Sequence, residues 1–338
     1  MKAIYLVRFG QPEDAFEWRE VSLPQPRENE VRIKAEAFGL NFADISARNG
    51  KYRDCPPLPC VIGYDVVGRV DAVGSNVKNV KTGDRVAGLT RFGGYAEYVN
   101  TDSRVVVAIP EEMPLTFAGA IAVQYCTAYY ACMECVNVHE GDRVLVHAAA
   151  GGVGTALVQL LKHRGAMVFG TCSSEKKMEY LKSIGTDYPI NYTAHDYRDE
   201  VKKILGKEKL DLVFDSVGGK YVRDGISMIG AGGKLVSYGA SGLMNTGFFS
   251  KIRKALQFGF YHPASFLIQS KSLIGVSMLR IADHKADVLQ RCLQGVVELA
   301  KQGVITPAGG LEFPVEKLSD AHRAVEERKT MGKVMVKW

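Results

Sequence analysis

The chain has 338 residues, 46% hydrophobic and 24% charged, more than one ordinary hydrophobic core holds; this predicts two packed domains and excludes a disordered chain. Forty-three basic against 37 acidic side chains leave a net charge of +6, with both signs mixed along the sequence, so no basic stripe points to nucleic acid. Seven scattered cysteines predict reduced thiols in the cytoplasm, and no signal-type or bilayer-spanning apolar run predicts export or membrane insertion.

The first 110 residues alternate in short runs, at 2–7, 31–37, 68–73, 85–89 and 96–99, punctuated by Gly and Pro, which predicts a β-rich domain. Helical stretches follow from 114 to about 134. Strands are then expected at 143–148, 166–171, 212–215, 234–238 and 272–276, with helices near 153–163, 174–184 and 220–229. Repeated β-α units imply an α/β domain with a doubly wound parallel sheet. The segment 240–271 is long and aromatic for a connection, with Phe248, Phe249, Phe258, Phe260, Tyr261 and Phe266 beside Lys251, Arg253 and Lys254. A helix at 287–302, a strand at 311–314, a helix at 318–328 and a strand at 333–337 close the chain and are expected to rejoin the β-rich domain.

The strongest motif runs from Val144 through Val-His-Ala-Ala-Ala into Gly151-Gly152-Val153-Gly154, an apolar strand leading through a glycine turn to a helix. Gly151 would let backbone approach a pyrophosphate, Gly154 would let the helix pack against the sheet, and the helix N-terminus would meet the anion; Ala149 stands where the fingerprint has its first glycine. About twenty residues on, where an acidic residue would bind the ribose of NAD, the text is Thr171-Cys-Ser173-Ser174-Glu175-Lys176-Lys177. Hydroxyls with lysines beside them suit a 2'-phosphate and favour NADPH, although Ser173 or Ser174 capping the next helix accounts for the same residues.

Three blocks carry a resemblance over nearly the whole chain: Gly39-Leu-Asn41-Phe-Ala-Asp44 with Gly50-Lys-Tyr52 and Pro56-Pro-Leu-Pro59; Gly63-Tyr64-Asp65-Val-Val-Gly68 with Gly83-Asp84-Arg85-Val86; and the glycine turn. The chain resembles the medium-chain dehydrogenase/reductase superfamily, its zeta-crystallin-like quinone oxidoreductase branch, and within it the vesicle amine transport protein homologues. The resemblance implies a GroES-like catalytic domain at 1–124, completed by 277–338, and a Rossmann NADPH-binding domain at 125–276 with the insertion 240–271. Where zinc-containing relatives carry Gly-His-Glu and a ligand cysteine, this chain has Tyr64-Asp65 and Asn41, which lack the donors of a catalytic zinc, so no metal is expected. Cys132 and Cys135 have no second pair and are expected to pack.

The same resemblance implies Asn41, Tyr52 and Thr127 on the nicotinamide side, Lys177 and Tyr192 beside the adenosine phosphate, and Ser216, Gly239 and Ser241 along the cofactor. The expected reaction is hydride transfer from NADPH to a quinone, enone or related carbonyl. Tyr52 is the preferred hydrogen-bond donor to the acceptor oxygen and Tyr64 its rival; each equally suits an aromatic wall, and water could supply the last proton. Asp44 is expected to orient Asn41 or the nicotinamide amide, or equally to cap a surface helix, and His147 to be a core residue. A homodimer is expected. The alternative is an NADPH-binding structural or membrane- or partner-associated protein with little catalysis.

Overall fold

The computed structural model describes residues 1–243 and 256–338, which divide into two compact units, 1–126 with 278–338 and 127–277. In chain order the strands are β1 (Lys2–Leu6), β2 (Phe16–Glu20), β3 (Glu30–Leu40), β4 (Asp65–Val73), β5 (Arg85–Leu89), β6 (Tyr98–Asp102), β7 (Val106–Ala108), β8 (Arg143–Val146), β9 (Met167–Cys172), β10 (Tyr188–Asn191), β11 (Leu210–Asp215), β12 (Ile229–Ser237), β13 (Ser272–Gly275), β14 (Leu311–Pro314) and β15 (Val334–Lys337).

In the first unit a sheet of order β14-β15-β3-β4-β5-β7, with β6 also on β3, is joined by the antiparallel pair β1-β2. β3 is its spine: Val31, Ile33, Ala35 and Ala37 alternate inward, and Phe38 and Leu40 pack with Ile62, Tyr95, Val334 and Val336. β15 runs antiparallel to β3 with Val334 opposite Leu40 and Met335 opposite Gly39, which carries Lys333 to the C-terminal end of β3.

The second unit is a parallel sheet of order β10-β9-β8-β11-β12-β13. The order reverses at β8, whose neighbours are β9 and β11, and in doubly wound folds ligands bind outside the carboxyl ends of strands at such a point. The α/β class and the GroES-like and Rossmann architectures are thus those expected. Strands buried on both faces read as apolar runs, and Val144, Leu145, Val146, Val213, Phe214, Leu235 and Val236 are fully buried.

Several elements differ from expectation for local reasons. β10 and the helix Tyr197–Leu205 were not expected; β10 holds Pro189, which its edge position tolerates. β12 starts at Ile229, five residues early, because Gly230-Ala-Gly-Gly233 forms an irregularity within the strand: Leu210 faces Ile229 but Leu212 faces Lys234. In the 240–271 stretch, Pro263–Gln269 is a helix; Leu267 and Ile268 within it and Phe260 before it are at least 82% exposed, and Phe248, Phe249, Lys251, Arg253 and Lys254 lie outside the described residues. No helix among the described residues is long and apolar enough to cross a membrane.

Candidate functional site

After β8 the chain turns through His147, Ala148, Ala149 and Ala150 into the helix Gly152–His163, with Gly151 as its extended N-cap. Thr171, near the end of β9, ties this turn down: its hydroxyl accepts from the Ala148 N–H at 3.1 Å and its carbonyl from the Ala149 N–H at 2.9 Å. A Cβ on Gly154 would stand 2.5 Å from the Ala148 oxygen and 2.6 Å from Ala149 Cα, so the helix packs on the turn at a distance only glycine permits. A Cβ on Gly151 would meet only the Ala148 oxygen, at 3.2 Å, and Gly151 is exposed. The first turn holds no acidic residue, so the amides of Gly152, Val153 and Gly154 and the helix dipole present uncompensated positive potential. The backbone therefore fits a dinucleotide pyrophosphate.

In the segment after β9 one serine is a helix cap. Ser174 caps the helix Glu175–Ser183, its hydroxyl accepting from the Lys177 N–H at 3.4 Å, whereas Ser173 is a half-buried neighbour. Glu175 accepts from Asn191 Nδ2 at 2.9 Å, which fixes its carboxylate on the end of β10. Tyr192 follows directly, its N–H donating to the Cys172 carbonyl at 3.0 Å, and lines a cleft of about 350 Å³ with Thr193, His195, Lys220 and Tyr221. Ser216, Gly239 and Ser241 meet at the ends of β11 and β12: the Ser241 N–H donates to the Ser216 carbonyl at 3.0 Å, and a Cβ on Gly239 would come within 2.9 Å of the same oxygen. Beneath them buried Asp215 accepts from the N–H groups of Val217 and Gly218, and burial pushes its carboxyl up to about 6. Thr127 is buried in the short helix Cys126–Tyr129.

His147 is a core residue. Burial pushes its imidazole down to about 3, Nδ1 lies 3.3 Å from Thr171 Oγ1, and the rings of Tyr197 and Tyr221 stand edge-on at 4.9 Å; Nε2 has no hydrogen-bond partner among the described residues.

In the first unit Asn41 caps the helix Phe42–Arg48 in a capping box with Asp44, its N–H donating to Asp44 Oδ2 at 2.8 Å. Asp44 is not on the surface: it is fully buried, and that burial pushes its carboxyl up to about 8, so the neutral acid predominates at neutral pH. The Asn41 side chain is spoken for. Nδ2 donates to Asp65 Oδ2 at 2.8 Å and Oδ1 accepts from Lys333 Nζ at 3.1 Å, bridging a Lys333–Asp65 ion pair of 2.6 Å whose side chains are 1% exposed. A Cβ on Gly39 would overlap both Asp65 Oδ1 and the Lys333 side chain. Lys333 and Asp65 were missed as site residues because a lysine before a short terminal strand looks like surface; glycine at 39 inside an apolar strand is the signal for a close approach there.

Tyr52 and Tyr64 form one aromatic cluster with Phe92, ring centroids 5.1 to 6.4 Å apart. Phe92 adopts φ 66°, costly for a bulky residue, and the helix Met278–His284 pins its loop: Asp283 accepts from Arg91 Nε at 2.7 Å, while Arg280 donates to Asp54 at 2.5 Å next to Tyr52. Burial, then the charge of Asp54, raises the half-buried Tyr52 phenol; burial raises that of Tyr64 much further, and the Tyr64 hydroxyl has no well-formed hydrogen bond among the described residues. Both are neutral donors at physiological pH. Among the described residues no three His, Cys, Asp or Glu side chains stand together to hold a metal, and Asp65 is already paired. These donors do not fit a catalytic zinc.

One chain that carries a Rossmann unit with a glycine turn at its switch point and a GroES-like unit has the fold of a dinucleotide-dependent dehydrogenase or reductase. Residues 27–111 match the alcohol dehydrogenase GroES-like domain and residues 152–294 the zinc-binding dehydrogenase domain. The chain is 37% identical to the synaptic vesicle membrane protein VAT-1 homolog of Rattus norvegicus, over 93% of this chain and 78% of that protein. It is 29% identical to the Homo sapiens quinone oxidoreductase, over 96% and 94%. The crystal structure of Escherichia coli quinone oxidoreductase complexed with NADPH superposes with a TM-score of 0.84 at 27% identity, covering all of both chains. The chain belongs to the medium-chain dehydrogenase/reductase superfamily, close to the VAT-1 homologs and the quinone oxidoreductases.

Proposed function

We propose that this protein is a zinc-independent NADPH-dependent reductase whose acceptor is a quinone, an enone or a related carbonyl. The observation that carries the reading is the turn from Ala148 to Gly154, where a Cβ on Gly154 has no room and Gly151 is open. Bound NADPH would supply a hydride. Gly151, Gly152, Val153 and Gly154 would hold its pyrophosphate, Ser173, Ser174, Lys177 and Tyr192 its adenosine phosphate, and Thr127, Ser216, Gly239 and Ser241 its remaining length, while buried Thr171 acts from beneath by holding the turn. The tie between Glu175 and Asn191 supports the choice of NADPH, since the acidic side chain nearest the expected ribose position is already engaged.

Without a Lewis acid the acceptor must itself be electrophilic, and the protein's part is to orient it and donate to its oxygen as charge develops. Tyr52 fills that role best in this reading: its neutral phenol is half-exposed, whereas Tyr64 is only 4% exposed and serves as its packing partner and rival. Asn41 works by position, locked by Asp65 and Lys333. Seven free cysteines support a cytoplasmic setting, and the place of β13 at the edge of the sheet among the described residues, with exposed Leu273, supports a homodimer.

Fluorescence titration with NADPH and NADH, in the wild type and in Lys177→Ala, tests the reading. Preference for NADPH that weakens in the variant supports it; binding of neither overturns it. A second reading, an NADPH-binding protein attached to membranes or partners, is favoured by the exposure of Phe260, Leu267 and Ile268. Sedimentation with anionic liposomes separates the two: loss of binding in Phe260→Ser/Ile268→Ser supports attachment, and no binding by the wild type removes it.

A further inference from the structure

Two cysteine pairs lie close together in the first unit, and they differ in access. Cys126 and Cys292 are fully buried and interact with each other. Cys55 and Cys60 close the sequence Cys-Pro-Pro-Leu-Pro-Cys, with sulfurs 4.0 Å apart; Cys60 is buried, but Cys55 is partly open to solvent. Three prolines among the four intervening residues restrict the loop, so little chain entropy remains to be lost in bringing the thiols together. Cys60 is anchored by two backbone bonds with Leu6, of 2.7 and 3.1 Å, whereas the Cys55 N–H donates to the Tyr52 carbonyl at 3.1 Å. Movement that closes the pair therefore falls on Cys55 and on the loop that carries Tyr52.

We propose that Cys55 and Cys60 are a reversible thiol-modification site, oxidised to an intramolecular disulfide by low-molecular-weight disulfides, with Cys55 the entry thiol. The Cys55 thiolate attacks one sulfur of the small disulfide, forming a mixed disulfide and releasing one small thiol. Cys60, after losing its proton, attacks the Cys55 sulfur and releases the second. Two protein thiols become one disulfide, one small disulfide becomes two thiols, and excess small thiol reverses both steps. Burial pushes the Cys55 thiol up to about 12 and raises Cys60 too, so the thiolate is scarce at neutral pH and the reaction is slow there, accelerating about tenfold per pH unit.

The test incubates the full-length protein with oxidised glutathione at pH 7, 8 and 9, quenches in acid, and counts free thiols by alkylation in denaturant with peptide mass spectrometry. The expected result is a fall from seven alkylated cysteines to five, a Cys55–Cys60 cross-linked peptide, a rate that climbs with pH, and recovery with dithiothreitol. Cys60→Ser should stop at glutathione on Cys55, and Cys126→Ser should still form the cross-link. Seven thiols remaining after exhaustive treatment at pH 9, a glutathione adduct on wild-type Cys55 that never resolves, or a cross-link through other cysteines would each overturn the proposal. The effect on turnover, through Tyr52, rests on the reductase reading: cross-linking that leaves quinone-dependent NADPH oxidation unchanged contradicts the coupling to Tyr52. Cross-linking of a protein that oxidises no NADPH in either form contradicts the reductase reading, and the modification site stands.

Discussion

Alanine at position 154 should damage both stability and cofactor binding, while alanine at 151 should damage binding far more than stability. In Gly154→Ala the new methyl would lie 2.5 Å from the Ala148 oxygen, and ordinary carbon–oxygen contacts begin near ~3.3 Å, so the helix must withdraw by roughly 0.8 Å. Its obstacles are backbone atoms, which cannot rotate away. Overpacking of that kind costs about 1–3 kcal/mol, and for a unit of this size about 2 kcal/mol lowers Tm by roughly 4–8 °C. In Gly151→Ala the methyl meets one atom at 3.2 Å, and the loss is about 0.5–1 kcal/mol, from the poorer N-cap. Scanning fluorimetry without cofactor gives the two Tm values, and fluorescence titration gives the two NADPH affinities, each expected to fall by about tenfold or more. An unchanged Tm in Gly154→Ala, or equal losses of Tm in both variants, would refute the close-packing argument.

Lys333→Met leaves Asp65 buried without its cation and should cost about 3–5 kcal/mol of stability in urea unfolding; a loss within experimental error would show that the pair is not buried as described. His147 stays neutral in the folded chain down to about pH 3, against 6.5 when unfolded, so its contribution is full above pH 6.5 and is lost as pH falls. Between pH 7 and pH 5 the loss is about 2 kcal/mol, and His147→Gln should remove that part of the acid sensitivity; an identical pH dependence in the variant contradicts it. Asp44 has the opposite sign: with its folded value raised to about 8, it favours the fold at low pH and that contribution is lost as pH rises from about 4 to 8. Asp44→Asn should fold well and flatten the decline between pH 5 and 8, as urea midpoints would show.

Legibility in the sequence followed the range of the interactions. The turn from β8 into its helix was readable because strand, glycines and helix are contiguous, and their local chemistry sets the geometry. β10 was not, because a four-residue edge strand with a proline is recruited by pairing with β9 rather than by its own propensity. The surroundings of Asn41 were hidden for the same reason: Asp65 and Lys333 are brought to it from β4 and the start of β15, and no local pattern distinguishes a buried lysine from an exposed one. Capping by Asp44 was visible in the spacing from Asn41, but its burial depended on packing that only the folded sheet supplies.

Reduction of an electrophilic acceptor by NADPH without a metal is tested most directly by decay of the nicotinamide absorbance with a naphthoquinone after exhaustive chelation. Acceptor-dependent oxidation of NADPH is expected, slower with NADH, unaffected by chelation and reduced in Tyr52→Phe. NADPH that binds but is consumed by neither quinone nor enone, or activity that chelation abolishes and zinc restores, would contradict it.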